Sequence, residues 1–218
     1  MKILVTGSTG FKGSWLSFWL KTLGAKVIGI SFNIPTNPSL FKIIIGNQFI
    51  RNYKCDIKNF PKVRNIVLKH KPDFVFHLAA QSYPHTSFDS PSDTLITNAN
   101  GTSNLLEVLK KSKYDPWIHV CASSEVFGRV PKELIPISED CPFHPASPYA
   151  ISKVGTDLIG RFYAEAYDMT VMTTRMFTHT GPRLGFIARL KASPITFGII
   201  LEFFTVHVFL VIGVNSDC

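Results

Sequence analysis

The feature that most restricts the fold of this chain is a run of glycines three residues apart, Gly7-Ser8-Thr9-Gly10-Phe11-Lys12-Gly13, set between an apolar stretch and a helical one. Residues 2–6 have the length and composition of a fully buried strand. From residue 11 to 23, Phe11, Trp15, Phe18, Trp19 and Leu23 recur near helical spacing. Glycine lets such a chain turn tightly at Gly7, present backbone N–H groups at Gly10 and bring helix against strand at Gly13. Those N–H groups and the positive end of the helix form a cradle for phosphate, so a dinucleotide is the expected ligand. The bland alternative is an ordinary strand-to-helix turn. An acid closing the second strand would select NAD, but Gly29-Ile30-Ser31-Phe32-Asn33 contains none, which leaves NAD or NADP open.

Strand and helix patterns keep alternating. Residues 25–30 form a second apolar strand, and Asn33, Pro35, Asn37 and Pro38 then predict a surface loop. Further strands are expected over 49–55, 74–78, 117–122 and 170–176, and helices near 61–70, 95–111 and 148–166. This order predicts parallel βαβ units, an α/β sheet covered on both faces, and ligand crevices at the carboxyl ends of the strands. Asp56, at the end of the third strand, is placed either to accept from an adenine amino group or to cap a turn.

Two further motifs fall at such ends. Tyr149-Ala-Ile-Ser-Lys153 sets a phenol and an ammonium one helical turn apart on the same face. A free tyrosine titrates near ~10, so the ammonium and the positive ring of a bound cofactor are together expected to favour the phenolate and let Tyr149 take a proton from a sugar hydroxyl. At the end of the 117–122 strand stand Ser123-Ser124-Glu125. Hydride chemistry needs only Ser123 there; Glu125 adds a carboxylate able to remove a proton α to a ketone, the step that precedes β-elimination of water. The competing reading makes these residues turn caps.

Together TGSTGFKG, HLAAQS, TNANGTSNLLE, ASSEVFG and PFHPASPYAISK resemble the extended short-chain dehydrogenase/reductase family, and within it the nucleotide-sugar 4,6-dehydratases. From Lys71 to Arg183 the chain is most similar to GDP-mannose 4,6-dehydratases; GFKGSWLSFWL and NIPTNPSLF resemble CDP-glucose 4,6-dehydratases instead. The resemblance implies a Rossmann-type doubly wound parallel sheet, NAD or NADP as a built-in redox group, and a nucleotide-sugar substrate. It implies catalytic roles for Ser123, Ser124, Glu125, Tyr149 and Lys153, with Ser124 where some relatives carry an Asp acid. For the cofactor it implies Gly7, Gly10, Phe11 and Gly13, then Asp56 and Ile57, then Leu78, Ala79 and Ala80, with Asn98 steadying the site; Tyr149 and Lys153 also touch it. Gln81, Ser82, Thr178 and His179 fall at substrate positions, although Thr178 replaces the family's usual Asn. Core packing for Ala79 and Ala80, and a surface role for His179, are the plain alternatives.

The formal net charge is +8, and between residues 42 and 71 eight Lys/Arg face one acid, Asp56. An anionic ligand suits this surface, but the positives are spaced among apolar residues rather than aromatics, so nucleic acid is not expected. The four cysteines show no CxxC spacing, so neither a metal site nor a disulfide framework is expected. With no signal-like segment at Met1, the cytoplasmic compartment is the expectation, and association into a homo-oligomer is compatible with the family. The alternation stops after Arg183. Residues 1–183 are expected to form the dinucleotide-binding and catalytic domain. Residues 184–218 are expected to be an atypical tail such as a frameshift or truncation leaves, with the substrate domain missing. Its apolar run, 195–214, reaches the ~20 residues of a membrane helix, but Glu202 at its middle opposes that role.

Overall fold

Residues 1–45, 50–112, 114–179 and 181 are described by a computed structural model; the apolar tail lies outside the described residues. In β1 (Lys2–Thr6), Ile3, Leu4, Val5 and Thr6 are all buried, and in β2 (Lys26–Ser31) every residue after Lys26 is buried. Strands with both faces apolar need cover on both sides. Ile3, Val5 and Val27 point to one side, where Phe41 of α2 (Leu40–Ile44) and the partly buried Leu16, Phe18 and Leu20 of α1 (Phe11–Thr22) meet them. Leu4, Ile28 and Ile30 point to the other, against Val63 and Val67 of α3 (Phe60–His70) and Leu105, Leu106 and Leu109 farther along.

With β3 (Arg51–Lys54), β4 (Phe74–His77), β5 (Trp117–Cys121) and β6 (Val171–Thr174), the sheet has the order β3-β2-β1-β4-β5-β6, every pair parallel. The chain leaves β1 outward to β2 and β3, then returns across it to β4. The switch point therefore lies between β1 and β4, where the two loops diverge and leave a crevice.

Three local expectations change. On α1 the buried residues are Gly13, Ser14 and Ser17, while Trp19 is 50% and Leu23 69% exposed. The helix lies so close to the glycine turn that only small residues fit between them. The predicted loop after β2 is irregular through Pro38 but then forms α2, started by Ser39, whose side chain accepts from Lys42 N. The single helix expected over 95–111 is three pieces. They are α5 (Pro91–Leu95), a π-helical turn (Ile96–Asn100) and α6 (Gly101–Lys111), preceded by a short α4 (Pro84–Asp89). π turns of this kind often mark functional sites.

Candidate active site

The glycine turn is held from several directions. Gly7 has φ +72°, donates to Ile30 O at 2.7 Å, and leaves no room for a Cβ, which would sit 2.9 Å from Ala79 N and from Leu78 O. A Cβ at Gly13 would lie 2.1 Å from Gly7 O, whereas one at Gly10 would be 3.3 Å from the same oxygen. Gly13 is thus needed for the approach of helix to strand, and Gly7 for the turn and for the contact with the loop after β4. Gly10 is the N-cap of α1 and offers no side chain to cap it, so the first-turn amides of Phe11, Lys12 and Gly13 are directed out of the helix. The loop is also anchored through Ser31, whose hydroxyl meets Ser8 Oγ at 2.8 Å and accepts from Thr9 N at 3.1 Å. Ser31 occupies the end of β2, where an acid would take a ribose, and serves the loop instead. Uncapped amides on a sterically emptied turn fit a pyrophosphate.

The opposite wall follows β4. Leu78, Ala79 and Ala80 are half-buried and lean on the glycine turn, and Ile57 packs where a Cβ on Gly101 would come within 2.6 Å of it. Asp56 Oδ1 accepts from Lys58 N at 2.9 Å, so one of its oxygens caps a turn, the alternative the sequence left open. Asn98, in the π turn and 1% exposed, accepts from Gln81 N at 2.8 Å and donates to Gln81 O at 3.0 Å and Ser152 Oγ at 2.8 Å. It ties the β4 loop to the helix that carries Ser152. The Gln81 side chain folds back on the backbone of Tyr83, and Ser82 stands exposed beside it.

The helix that carries Tyr149 and Lys153 is α7 (Pro148–Tyr167). Pro148 starts it, Ser147 caps it by accepting from Ala150 N, and Tyr149 and Lys153 share its buried face. Lys153 donates from Nζ to the Cys121 carbonyl at 2.8 Å, and burial, with the Lys12 charge adding to it, brings its ammonium down to about 8. Its nitrogen is 6.0 Å from the centroid of the Tyr149 ring. Ser123 Oγ accepts from Glu125 N at 3.3 Å, and its hydroxyl is a neighbour that lowers the Tyr149 phenol pKa. Ser123, Tyr149 and Lys153 therefore meet at the end of β5. Ser124 is half-buried, its amide on Met176 O, and Glu125 is exposed on the same short 3₁₀ turn, Ser124–Phe127. Burial raises the Tyr149 pKa, and the Ser123 hydroxyl offsets only part of that. Lys153 gives one of its three ammonium hydrogens to the Cys121 carbonyl. Thr178 and His179 are exposed beyond β6.

Several groups at the site were not singled out from sequence. Ser87 Oγ accepts from Tyr149 N at 3.1 Å and so holds the start of α7. Arg175, after β6, makes a bidentate pair with the buried Asp157 at 2.9 and 3.2 Å, donates to Glu139 O, and stacks on Phe143. That links α7 to the loop behind the Glu125 turn. Lys12 reaches the end of β5, with Nζ 3.4 Å from Cys121 Sγ. Position in the glycine run pointed to Lys12; nothing local pointed to the others.

The sheet order, the glycine turn and the Ser/Tyr/Lys meeting point define a chain of the extended short-chain dehydrogenase/reductase class. The family model described as GDP-mannose 4,6 dehydratase matches residues 4–196, and this chain belongs to that family. It is 34% identical over 197 residues to the GDP-mannose 4,6-dehydratase of Vibrio cholerae, covering 84% of this chain and 51% of that one. Over 110 residues it is 46% identical to the CDP-glucose 4,6-dehydratase of Salmonella typhimurium, covering 50% of this chain and 31% of the relative. Thus the chain spans about half the length, or less, of these relatives. Among solved structures it is similar to the dTDP-glucose 4,6-dehydratase DesIV of Streptomyces venezuelae with NAD and TYD bound. There the TM-score is 0.72 and the identity 26%, covering 93% of this chain and 63% of that one. The UDP-glucose 4-epimerase of Thermus thermophilus, in complex with NAD, has a TM-score of 0.76 at 25% identity, covering 85% of this chain and 58% of that one.

Proposed function

We propose that this chain is the cofactor-binding and catalytic part of a nucleotide-sugar 4,6-dehydratase, a hydro-lyase that converts an NDP-hexose to its 4-keto-6-deoxy product with NAD or NADP. The observation that carries this reading is the meeting of Ser123, Tyr149 and Lys153 at the end of β5, with Glu125 leaving the same turn. The relatives' substrates make GDP-mannose or CDP-glucose the sugars of choice.

The pyrophosphate belongs on the amides of residues 11–13, with Asp56, Ile57 and residues 78–80 along the rest of the dinucleotide. When bound, the dinucleotide supplies a hydride acceptor and later a donor. Tyr149 takes the proton of the C4 hydroxyl, with Ser123 in reach to share it and the buried Lys153 as the positive charge beside them. Glu125 removes the C5 proton, made acidic by the C4 ketone, and Ser124 donates to the departing C6 hydroxyl. Gln81, Ser82, Thr178 and His179 stand at the rim where the sugar nucleotide enters.

For association, the exposed Ile151, Leu158 and Phe162 on α7, beside Leu95 and Ile96, offer an apolar stripe suited to a second copy; sedimentation at two concentrations tests it. Among the described residues no helix is long and apolar enough to cross a membrane, and Cys55, Cys121 and Cys141 are free thiols, which suits a cytoplasmic setting.

The deciding experiment is incubation with GDP-mannose, CDP-glucose, UDP-glucose and dTDP-glucose, each with NAD or NADP, followed by mass spectrometry for loss of water. A dehydrated product from one sugar supports the reading, and Glu125→Gln is expected to abolish it while hydride exchange at C4 continues. Dinucleotide binding without any product would replace it by a cofactor-binding chain without turnover.

A further inference from the structure

Beneath the crevice, three polar side chains form a buried line that the chemistry above does not use. Thr6 Oγ1 is 2.8 Å from His77 Nδ1, His77 Nε2 is 3.0 Å from Thr102 Oγ1, and Thr102 Oγ1 donates to Asn98 O at 2.6 Å. Thr6, His77 and Thr102 are each at most 3% exposed. At its other end Thr6 Oγ1 accepts from Leu78 N at 3.2 Å and Ala79 N at 3.1 Å.

These contacts permit one direction of hydrogen bonding. A hydroxyl has a single proton. Thr102 gives its proton to Asn98 O, so it accepts from His77, which places a hydrogen on Nε2. His77 Nδ1 is then bare and takes the Thr6 proton, leaving the two Thr6 lone pairs for the Leu78 and Ala79 amides. A hydrogen on Nδ1 would take from the Thr6 hydroxyl proton the acceptor it has in His77, while the Leu78 amide divides its hydrogen between Thr6 Oγ1 and Thr6 O at 3.2 Å each. The doubly protonated ring is excluded for the same reason, and burial, with the Lys153 and His119 charges, holds His77 down to about 3.

We propose that His77 is a positioning residue whose neutral Nε2–H tautomer fixes the Leu78–Ala79 segment against the glycine turn. Gly7 and that segment are already at the closest approach a missing Cβ allows, so the distance across the crevice is set where Thr6 grips the two amides. The far end of the line is the Asn98 carbonyl; the Asn98 side chain donates to Ser152 Oγ of α7 at 2.8 Å, and Thr156 Oγ1 divides its one proton between Asn98 O at 3.2 Å and Ser152 O at 3.1 Å. One chain of bonds thus joins the cofactor turn, the opposite wall and α7. Its effect on dinucleotide binding rests on the function proposed above; the hydrogen-bond direction does not.

The test uses the full chain, with nitrogen-15 NMR of the histidine rings and amide hydrogen exchange. The expected ring pattern for His77 is Nε2–H, unchanged from pH 8 to pH 5. Thr102→Val removes the acceptor for that hydrogen. The Ala79 amide, held by Thr6 Oγ1, is then expected to exchange about three- to tenfold faster, while Val75 and Phe76 keep their rates. The dissociation constant for NAD should rise by about the same factor. Val108→Ala, a cavity in the same helix, controls for general loosening and should leave both unchanged. His77→Asn keeps an acceptor for the Thr6 proton and is expected to exchange more slowly at Ala79 than His77→Leu. An Nδ1–H ring in the unaltered chain, or an Ala79 rate unmoved by Thr102→Val, overturns the proposal; if that variant does not fold, the ring tautomer of the unaltered chain decides. Failure of the unaltered chain to bind NAD would instead count against the proposed function, with the tautomer and exchange results still deciding the relay.

Discussion

Around β1, β2 and β3 the polar work is done by backbone and by missing side chains, whereas around β4, β5 and β6 it is done by side chains buried at a cost. The first half turns on Gly7 and Gly13, with small hydroxyls of Ser8 and Ser31 tying the loop. The second buries Lys153 at 5% exposure, His77 at 3% and Asp157 at 1%. A site made of backbone is sterically strict but indifferent to pH. One made of ionisable side chains is sensitive to protonation and holds its geometry only while each group keeps its partner.

The largest test of that contrast is acid. His77 is held down to about 3 and His119 to about 4, both by burial, so each adds stability that is complete above about 6.5 and is lost as pH falls through that window. With two protons involved, denaturant unfolding should lose about 3 kcal/mol per pH unit between pH 6 and pH 4. Amide exchange should show β4 and β5 loosening before β2. If β2 and β3 open first, the contrast is wrong.

Next in size is the ion pair behind the site. Asp157→Ala leaves Arg175, 12% exposed, without its carboxylate and is expected to cost about 3 to 5 kcal/mol in urea unfolding. A cost under about 1 kcal/mol would show that the aromatic stack alone holds the loop.

On the glycine side the prediction is steric. Gly13→Ala puts a methyl 2.1 Å from Gly7 O and should weaken NAD binding by about a hundredfold, whereas Gly10→Ala, at 3.3 Å, should cost less than about tenfold. Equal losses by calorimetry would mean that the cradle, not the approach of the helix, is what each glycine protects.

The smallest stability change is expected at Lys153. Because its ammonium is lowered to about 8, folding favours the neutral form, and stability from this group should rise as pH goes from about 8 to 10.5. Lys153→Met should remove that slope and leave stability at pH 7 unchanged or higher by about 1 kcal/mol, while abolishing turnover. A large loss of stability would recast Lys153 as a structural residue.

Much of this was legible from residues alone where one residue type has one physical meaning. Glycine at three-residue spacing between strand and helix has few other uses, and Tyr149 and Lys153 share a helix face by spacing alone. Alternation of strands and helices was enough for a parallel sheet. The inward face of α1 was not legible, because aromatics at helical spacing suggest burial, and only the closeness of Gly13 to Gly7 turns the small residues inward. Nor was the depth at which Tyr149 is buried, which raises its pKa. Arg175 and Asp157 are 18 positions apart, and Thr6 and His77 are 71, with no periodic signal joining them.

By itself, then, the sequence determined the strand-turn-helix opening, the parallel α/β order and the residue types gathered at the strand ends, because these follow from local spacing and backbone freedom. Tertiary structure alone decided which neighbours those groups meet, and so their protonation, the tautomer of His77 and the partner of Arg175. Burial and hydrogen-bond direction are properties of contacts between distant segments, and they exist only once the sheet has brought those segments together.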